Sequence, residues 1–292
     1  MSQHFKGAGV ALVTPFTKND KVDFNALETI VKNQVQGGMD YLVALGTTAE
    51  TPTLHSGEKL DIVNFIKEKS SGLPVVVGMG GNDTRKIIKQ IDKFDFNGVN
   101  ALLIVTPYYN KPSQEGMFKH YSAIASSSPV PIILYNVPSR TGVNLEAETV
   151  VRLAEANDKI VAVKEASGIL SQITKIGKYA PANFAVISGD DVLALPIISV
   201  GGSGVISVIA NALPGKLSKL IHLALEGKFK ESLDLHFEMI DLFKLLFKEG
   251  NPGGIKALMH FMGTIENELR SPLSEISNET YNEIKNAYLK LN

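Results

Sequence analysis

Short apolar runs alternate with amphipathic stretches from Val10 to about Gly227. Each run is rich in β-branched residues and is bounded by turn residues, which is typical of strands buried in a parallel sheet. Eight runs of this kind predict strands at Val10–Phe16, Tyr41–Gly46, Pro74–Gly80, Ala101–Pro107, Pro131–Val137, Ile160–Ala166, Phe184–Gly189 and Gly204–Val208.

The stretches between these runs place apolar residues at helical spacing. They predict helices that include Ser56–Glu68, with Ser56 as its N-cap, and Thr84–Phe94, Gln114–Ala125 and Asn144–Ala156. Because strand and helix alternate eight times without a linker, the pattern predicts an α/β fold, the (β/α)8 TIM barrel.

A doubly wound open sheet is the alternative arrangement of alternating strands and helices. It normally has fewer strands and a glycine-rich phosphate loop after the first strand. The first predicted strand ends in Val13–Phe16 without a glycine, and Gly78–Asp83 lacks the third glycine of the GxGxxG motif. We therefore interpret Gly78–Asp83 as a strand-to-helix turn.

The pattern changes after the eighth strand-helix unit, and only helices are predicted from Lys228 onward. They cover roughly Phe229–Lys248, Gly254–Met262 and Ser277–Leu291, with breaks at Asn251–Gly254 and Ser271-Pro272. We predict a catalytic barrel domain over residues 1–227 and a C-terminal helical appendage over residues 228–292 that packs on it.

Composition excludes several classes of function. The net charge is -1 and no basic block stands out, so nucleic acid is not an expected partner. The chain has no cysteine, and its six histidines lack HExxH-type spacing, so we expect no metal. The first five residues do not resemble a targeting peptide, and no apolar run approaches the ~20 residues of a membrane helix. We expect a soluble, cytoplasmic protein.

One predicted strand ends in a lysine. Lys164 follows the apolar run Ile160–Val163, where a cation is costly to desolvate. A neutral amine at such a position can attack a carbonyl, so Lys164 is a candidate nucleophile. The alternative is that its side chain extends from the strand end to water.

The preceding predicted strand carries a tyrosine near its end. Because side chains alternate along a strand, the Tyr135 phenol can reach the Lys164 amine, whereas Glu165 points toward the helices. A phenol beside an amine suits proton transfer to and from a carbinolamine. The alternative is that Tyr135 fills the barrel as an ordinary buried aromatic residue.

Further polar residues follow other predicted strands, at the end of a barrel where active sites lie. Thr47 and Thr48 offer hydroxyls and unpaired amides that suit a carboxylate, or else they cap the next helix. Arg140 can form a two-pronged pair with a carboxylate, or else it is a solvated surface residue.

Two other pairs of residues indicate no specific chemistry. Tyr108 and Tyr109 suit a gate, a subunit contact or loop packing. Asp190 and Asp191 lack a third ligand for a metal, so we interpret them as a helix N-cap followed by an acid in the first turn.

Five segments together resemble the pyruvate-dependent class I aldolase and lyase family over nearly the whole chain. They are Gly46–Glu50, Val105–Pro112, Leu134–Gly142, Val163–Ala166 and Ser188–Asp191. The chain departs from the family pattern at Ala49, usually glycine, and at Thr51, usually serine. Neither change removes a catalytic group.

The resemblance implies a role for each matching residue. Lys164 would form a Schiff base with pyruvate, and Tyr135 would donate and accept protons. Thr47 and Tyr109 would complete a hydroxyl relay, with Tyr109 lent by a neighbouring subunit. The residues implied to bind substrates are Thr48 for the pyruvate carboxylate, Arg140 for the second substrate, and Gly189 and Ile206 for pyruvate through their backbone groups.

Within the family, the resemblance implies the branch that condenses pyruvate with L-aspartate 4-semialdehyde in lysine biosynthesis. It also implies a homotetramer built from two dimers and no cofactor beyond the covalent imine. The alternative on the same scaffold is an N-acetylneuraminate lyase or a 2-keto-3-deoxy sugar-acid aldolase. Those enzymes typically carry serine where this chain has Thr47, and they usually lack Arg140. A non-catalytic pyruvate-binding protein would have no need of Lys164.

Overall fold

The computed structural model describes residues 5–291, and its eight parallel strands close into one barrel in chain order. The predicted barrel is therefore confirmed, and the open sheet is excluded. The strands are β1 Gly7–Ala11, β2 Tyr41–Ala44, β3 Val75–Gly78, β4 Ala101–Val105, β5 Ile132–Asn136, β6 Ile160–Glu165, β7 Ala185–Ser188 and β8 Gly204–Ser207.

Helices lie between the strands and follow the last of them, as the pattern predicted. Those before β8 are α1 Phe24–Gln36, α2 Ser56–Lys69, α3 Thr84–Ile91, α4 Gln114–Ser127, α5 Pro138–Thr141, α6 Ala147–Ala156, α7 Leu170–Tyr179 and α8 Ala194–Ser199. Those after β8 are α9 Pro214–Leu225, α10 Phe229–Leu245, α11 Gly253–Phe261 and α12 Asn278–Leu289.

Several predicted boundaries differ from the structure by a few residues, and two of the differences have a clear local cause. β1 ends at Ala11, because the Val13 N–H donates to the Asn211 side chain at 3.0 Å instead of continuing the ladder. The N-cap of α2 is His55 rather than Ser56. The His55 imidazole accepts from the Glu58 N–H while the Glu58 carboxylate accepts from the His55 N–H, which forms a capping box.

The chain forms two compact units. The first contains Gly7 and Pro74–Ile206, and the second contains Ala8–Leu73 and the chain from Ser207 onward. In the second unit α9 packs on α10, and α12 packs on both α10 and α11. The predicted domain boundary between residues 227 and 228 stays a prediction, and its outer limits, residues 1–4 and 292, lie outside the described residues.

Candidate active site

Lys164 and Tyr135 lie side by side in the first unit. They are register partners in the β5–β6 ladder, and both side chains are buried. The Lys164 Nζ lies 4.5 Å from the centroid of the Tyr135 ring. An amine shielded from bulk water beside a phenol is an arrangement that supports nucleophilic attack with local proton transfer.

Gly189 follows β7 and directly faces Lys164. A Cβ atom on Gly189 would lie 3.1 Å from the Lys164 Cε and 2.7 Å from the Ala166 Cβ. The Gly189 N–H donates to the Glu165 carbonyl at 2.8 Å, which fixes the turn against β6. A side chain at this position would therefore force a shift against Ala166 and crowd the lysine. Ile206, the other residue predicted to line the pyruvate site, is fully buried on β8.

Arg140 and Tyr109 are exposed residues of the first unit. Arg140 is in the short helix α5, which Gly142 ends in the left-handed conformation at φ 73°. Tyr109 follows β4, and its side chain is 85% exposed. Its φ of 73° is unusual for a residue other than glycine, so the surrounding loop must hold this backbone against local strain.

Thr47 and Thr48 lie in the second unit, in a 3-10 turn after β2. Thr48 is buried, and its Oγ1 accepts a hydrogen bond from Asn251 Nδ2 at 3.1 Å. Because the hydroxyl accepts from the amide, its own proton is free to donate elsewhere. The arrangement suits a ligand that accepts hydrogen bonds, such as a carboxylate.

The turn that carries these threonines is anchored by a buried ion pair. Glu50 adopts the left-handed conformation at φ 53°, and its carboxylate contacts the Lys256 ammonium from α11 and the Arg270 N–H. Glu50 and Lys256 are both almost fully buried. Burial lowers the pKa of Lys256, and the charge of Glu50 opposes that shift.

Glu165 points away from Lys164, as strand alternation predicted. Its carboxylate accepts hydrogen bonds from Asn136 on β5 and from Gln172 on α7, each at 2.9 Å. Burial raises the pKa of this carboxyl, and the amide donors partly offset the shift.

The interpretation of Asp190 and Asp191 as a helix cap is wrong. α8 begins at Ala194 with Leu193 at its N-cap, and Asp190 instead accepts from the Val192 N–H at 3.1 Å. Burial raises the pKa of Asp190. No group of three or more acidic or histidine side chains that could hold a metal occurs within residues 5–291.

Residues without a predicted role turn out to support the candidate site. The sequence pattern places Asn251 only at a helix break, and it predicts no role for Lys256, Asn136 or Gln172. A buried lysine in the apolar segment Ile255–Met259 and an asparagine ending the apolar run of β5 are the signals that could have indicated them.

Comparisons with known proteins find relatives over nearly the whole chain. The model of the dihydrodipicolinate synthetase family matches residues 4–290. A 4-hydroxy-tetrahydrodipicolinate synthase of Parabacteroides distasonis is 49% identical over 289 residues, which are 99% of this chain and 97% of that protein.

Two solved structures have nearly the same fold. The dihydrodipicolinate synthase of Thermotoga maritima has a TM-score of 0.96 and 39% identity, with 99% of each chain covered. The chloride-inhibited enzyme of Acinetobacter baumannii, solved with pyruvate, has a TM-score of 0.95 and 37% identity, with 98% of each chain covered. No described helix is long and apolar enough to cross a membrane.

Proposed function

Because the chain belongs to the dihydrodipicolinate synthetase family, we propose that it condenses pyruvate with L-aspartate 4-semialdehyde through a Schiff base on Lys164. The product is 4-hydroxy-tetrahydrodipicolinate, and the reaction is the first committed step of diaminopimelate and lysine biosynthesis. The observation that carries the proposal is the burial of the Lys164 amine beside the Tyr135 ring.

The chemistry starts with attack of the Lys164 Nζ on the ketone of pyruvate. Loss of water gives an iminium, whose nitrogen accepts the electrons left when the pyruvate methyl loses a proton. The resulting enamine attacks the aldehyde carbon. The amine of the second substrate then displaces Lys164 and closes the ring, so the enzyme is regenerated without a metal or organic cofactor.

The other site residues bind substrates and move protons in this proposal. Tyr135 transfers protons to and from the carbinolamine, and Thr47 and Tyr109 extend the hydroxyl relay. Thr48 donates its free proton to the pyruvate carboxylate, which the hydrogen bond from Asn251 favours. The remaining contacts are Arg140 to the carboxylate of aspartate semialdehyde, and Gly189 and Ile206 to pyruvate through backbone groups.

The proposed working form is a cytoplasmic homotetramer built from two dimers. The exposure of Tyr109 supports this assembly, because a tyrosine that is 85% exposed in one chain is available to a neighbouring subunit.

Reduction with borohydride in the presence of pyruvate tests the proposal. We expect a reduced adduct on the peptide that contains Lys164, found by mass spectrometry. The peptide that contains Lys256 is an internal control, because this lysine is also buried but is paired with Glu50. Folded protein without an adduct at Lys164 would refute the Schiff base.

A second measurement separates the proposed reaction from that of a sugar-acid lyase. Each of aspartate semialdehyde and N-acetylmannosamine is supplied with pyruvate as the aldehyde partner. We expect consumption of aspartate semialdehyde, because Arg140 offers a site for its carboxylate. Preferential use of the sugar would favour the lyase alternative.

A further inference from the structure

A buried polar cluster lies behind the Lys164–Tyr135 pair. Asn136 and Glu165, the residues that follow the pair on β5 and β6, are also register partners, and both are fully buried. Asn136 Nδ2 donates to Glu165 Oε1 at 2.9 Å. The two strands that carry the reactive side chains are thus joined by side chains on their opposite faces.

The same asparagine closes the loop that carries Arg140. Asn136 stands at the start of this loop, and its Oδ1 accepts from the N–H of Leu145, at the loop's end, at 2.9 Å. Its Nδ2 also lies 2.8 Å from the Asn144 Oδ1. Both ends of segment 136–145 are therefore held by one side chain.

Gln172 on α7 links the end of that loop to Glu165. Its Nε2 donates to Glu165 Oε2 at 2.9 Å, and its Oε1 accepts from Asn144 Nδ2 at 2.8 Å. Asn136, Asn144, Glu165 and Gln172, which we call the Glu165 network, thus connect the Arg140 loop to the strand of Lys164.

Burying the polar groups of this network costs free energy of desolvation, which a purely structural role does not require. A buried carboxyl loses hydration, and its hydrogen-bond partners here are the amides of Asn136 and Gln172 and the N–H of Ser167. Apolar side chains of similar volume often stabilise a fold as well as or better than buried polar groups. A directional network does, however, restrict geometry, because each hydrogen bond limits the position of its partner.

We propose that the residues of the Glu165 network are positioning residues that determine where Arg140 stands relative to Lys164. None of them contacts substrate. The inference rests on the proposed function, in which Arg140 binds the carboxylate of aspartate semialdehyde. The network therefore governs use of the second substrate rather than formation of the pyruvate imine.

The two steps differ because β6, which carries Lys164, and the Arg140 loop are held by different contacts. β6 is fixed by backbone ladders on both sides, including Tyr135 to Lys164 and Lys164 to Ile187. The Arg140 loop has no such ladder, and its C-terminal end is held by Gln172 and by Gln114, which donates to the Asn144 carbonyl at 2.8 Å. Loss of an Asn144 or Gln172 side chain removes the link between the loop and Glu165 on β6, while Asn136 and Gln114 still hold the loop's end. The loop is therefore loosened, and the strand stays in place.

The test uses Asn144→Ala and Gln172→Ala in the full-length enzyme. We expect kcat/KM for aspartate semialdehyde to fall about 10- to 100-fold, since a small misplacement of a binding group has effects of this size. The rate at which the pyruvate imine forms, measured by trapping with borohydride, should change by less than about twofold. If Asn144→Ala does not fold, Gln172→Ala carries the test, because Gln172 lies on helix α7, outside the loop, and alanine is a good helix former.

Asn157→Ala is the matched control. Asn157 is a half-buried amide at the end of α6 that bonds to the Leu153 carbonyl and to Ser122, outside the network. We expect both rates to be unchanged in this variant.

The double variant Arg140→Ala/Asn144→Ala shows whether the network acts through Arg140. We expect it to use aspartate semialdehyde no worse than Arg140→Ala alone, because the two changes affect one interaction. Additive losses, an equal loss of imine formation in the network variants, or unchanged kcat/KM would each overturn the inference. If Arg140→Ala itself leaves aspartate semialdehyde use intact, the proposed role of Arg140 fails instead.

Discussion

At the residue scale, two buried lysines show how surroundings determine the chemistry of one side chain. Lys256 contacts the Glu50 carboxylate and donates to the Glu268 carbonyl at 2.8 Å. Lys164 instead extends past Gly189 to lie over the Tyr135 ring. The first lysine is held as a structural cation. The second presents its amine beside a phenol, as a nucleophile requires.

Replacement of Gly189 by alanine should inactivate the lysine while the fold survives. The new methyl group would lie 2.7 Å from the Ala166 Cβ and 3.1 Å from the Lys164 Cε, so the turn must shift and the lysine side chain must give way. We expect the rate of pyruvate imine trapping to fall at least about tenfold, as a displaced nucleophile would produce. Gly215→Ala is the control, because a Cβ there meets nothing within 4 Å. A normal trapping rate in Gly189→Ala would contradict the close approach.

Glu165 should make stability depend on pH. Burial raises its pKa in the folded state above the ordinary value of 4.5, so the folded protein holds this proton more tightly than the unfolded chain. Stability should therefore fall as the pH rises from 4.5 through the raised pKa. In Glu165→Gln this fall should be reduced, and urea unfolding at a series of pH values measures it. Parallel profiles for the two proteins would argue against the shift.

At the scale of elements, the C-terminal helical segment supports the turn after β2. Asn251 precedes α11 and contacts Thr48, and Lys256 within α11 contacts Glu50. Both contacts lie within the second compact unit. The helices beyond β8 thus hold a turn that is proposed to bind pyruvate.

Lys256→Met should destabilise the protein strongly. It leaves the Glu50 carboxylate buried without its ammonium partner, a change that typically costs about 3–5 kcal/mol. The double variant Glu50→Gln/Lys256→Met should recover much of this loss, because no unpaired charge remains. Chemical denaturation of both variants measures the effect.

The control for this measurement is Lys248→Met, because the Lys248–Glu283 pair lies at the surface. Its removal should have little effect on the free energy of unfolding. Equal losses of unfolding free energy in Lys248→Met and Lys256→Met would contradict the expectation that the buried ion pair matters more than the exposed one.

At the scale of the whole molecule, Tyr109 is the residue proposed to reach the active site of a neighbouring subunit. Its side chain is exposed in the single chain, and its backbone is held in a strained conformation. Strained residues cluster at functional sites, where the surrounding structure compensates for their energy. Contribution of this hydroxyl to a neighbouring subunit would explain both features.

Mixed oligomers test this contribution. Tyr109→Phe and Lys164→Met should each be nearly inactive alone. After the two are unfolded and refolded together, random pairing in two-fold dimers should restore about a quarter of the sites. Those sites combine an intact Lys164 with a Tyr109 from the other subunit. An absence of recovery, with mixed oligomers verified by native mass spectrometry, would place Tyr109 in its own subunit's site.

The sequence predicted the elements better than their ends. Alternation of apolar runs identified all eight strands, yet β1 ends earlier than predicted because the N–H of Val13 donates to Asn211, far along the chain. The pattern predicts a helix cap at Asp190, but Asp190 accepts a hydrogen bond from the Val192 N–H, which lies before α8 begins. The ends of strands and helices depend on the hydrogen-bond partner of each backbone N–H and carbonyl group. The local pattern of apolar and polar residues does not reveal that partner.

The order of the strands and the pairing of Tyr135 with Lys164 were determined by the sequence itself, because a period of two residues and short connections are local properties. Only the tertiary structure decided that Gly189 faces Lys164, that Asn251 contacts Thr48, and that Gln172 joins the Arg140 loop to Glu165. These contacts link segments distant in sequence. Their geometry arises from packing of the whole chain, which no local periodicity encodes.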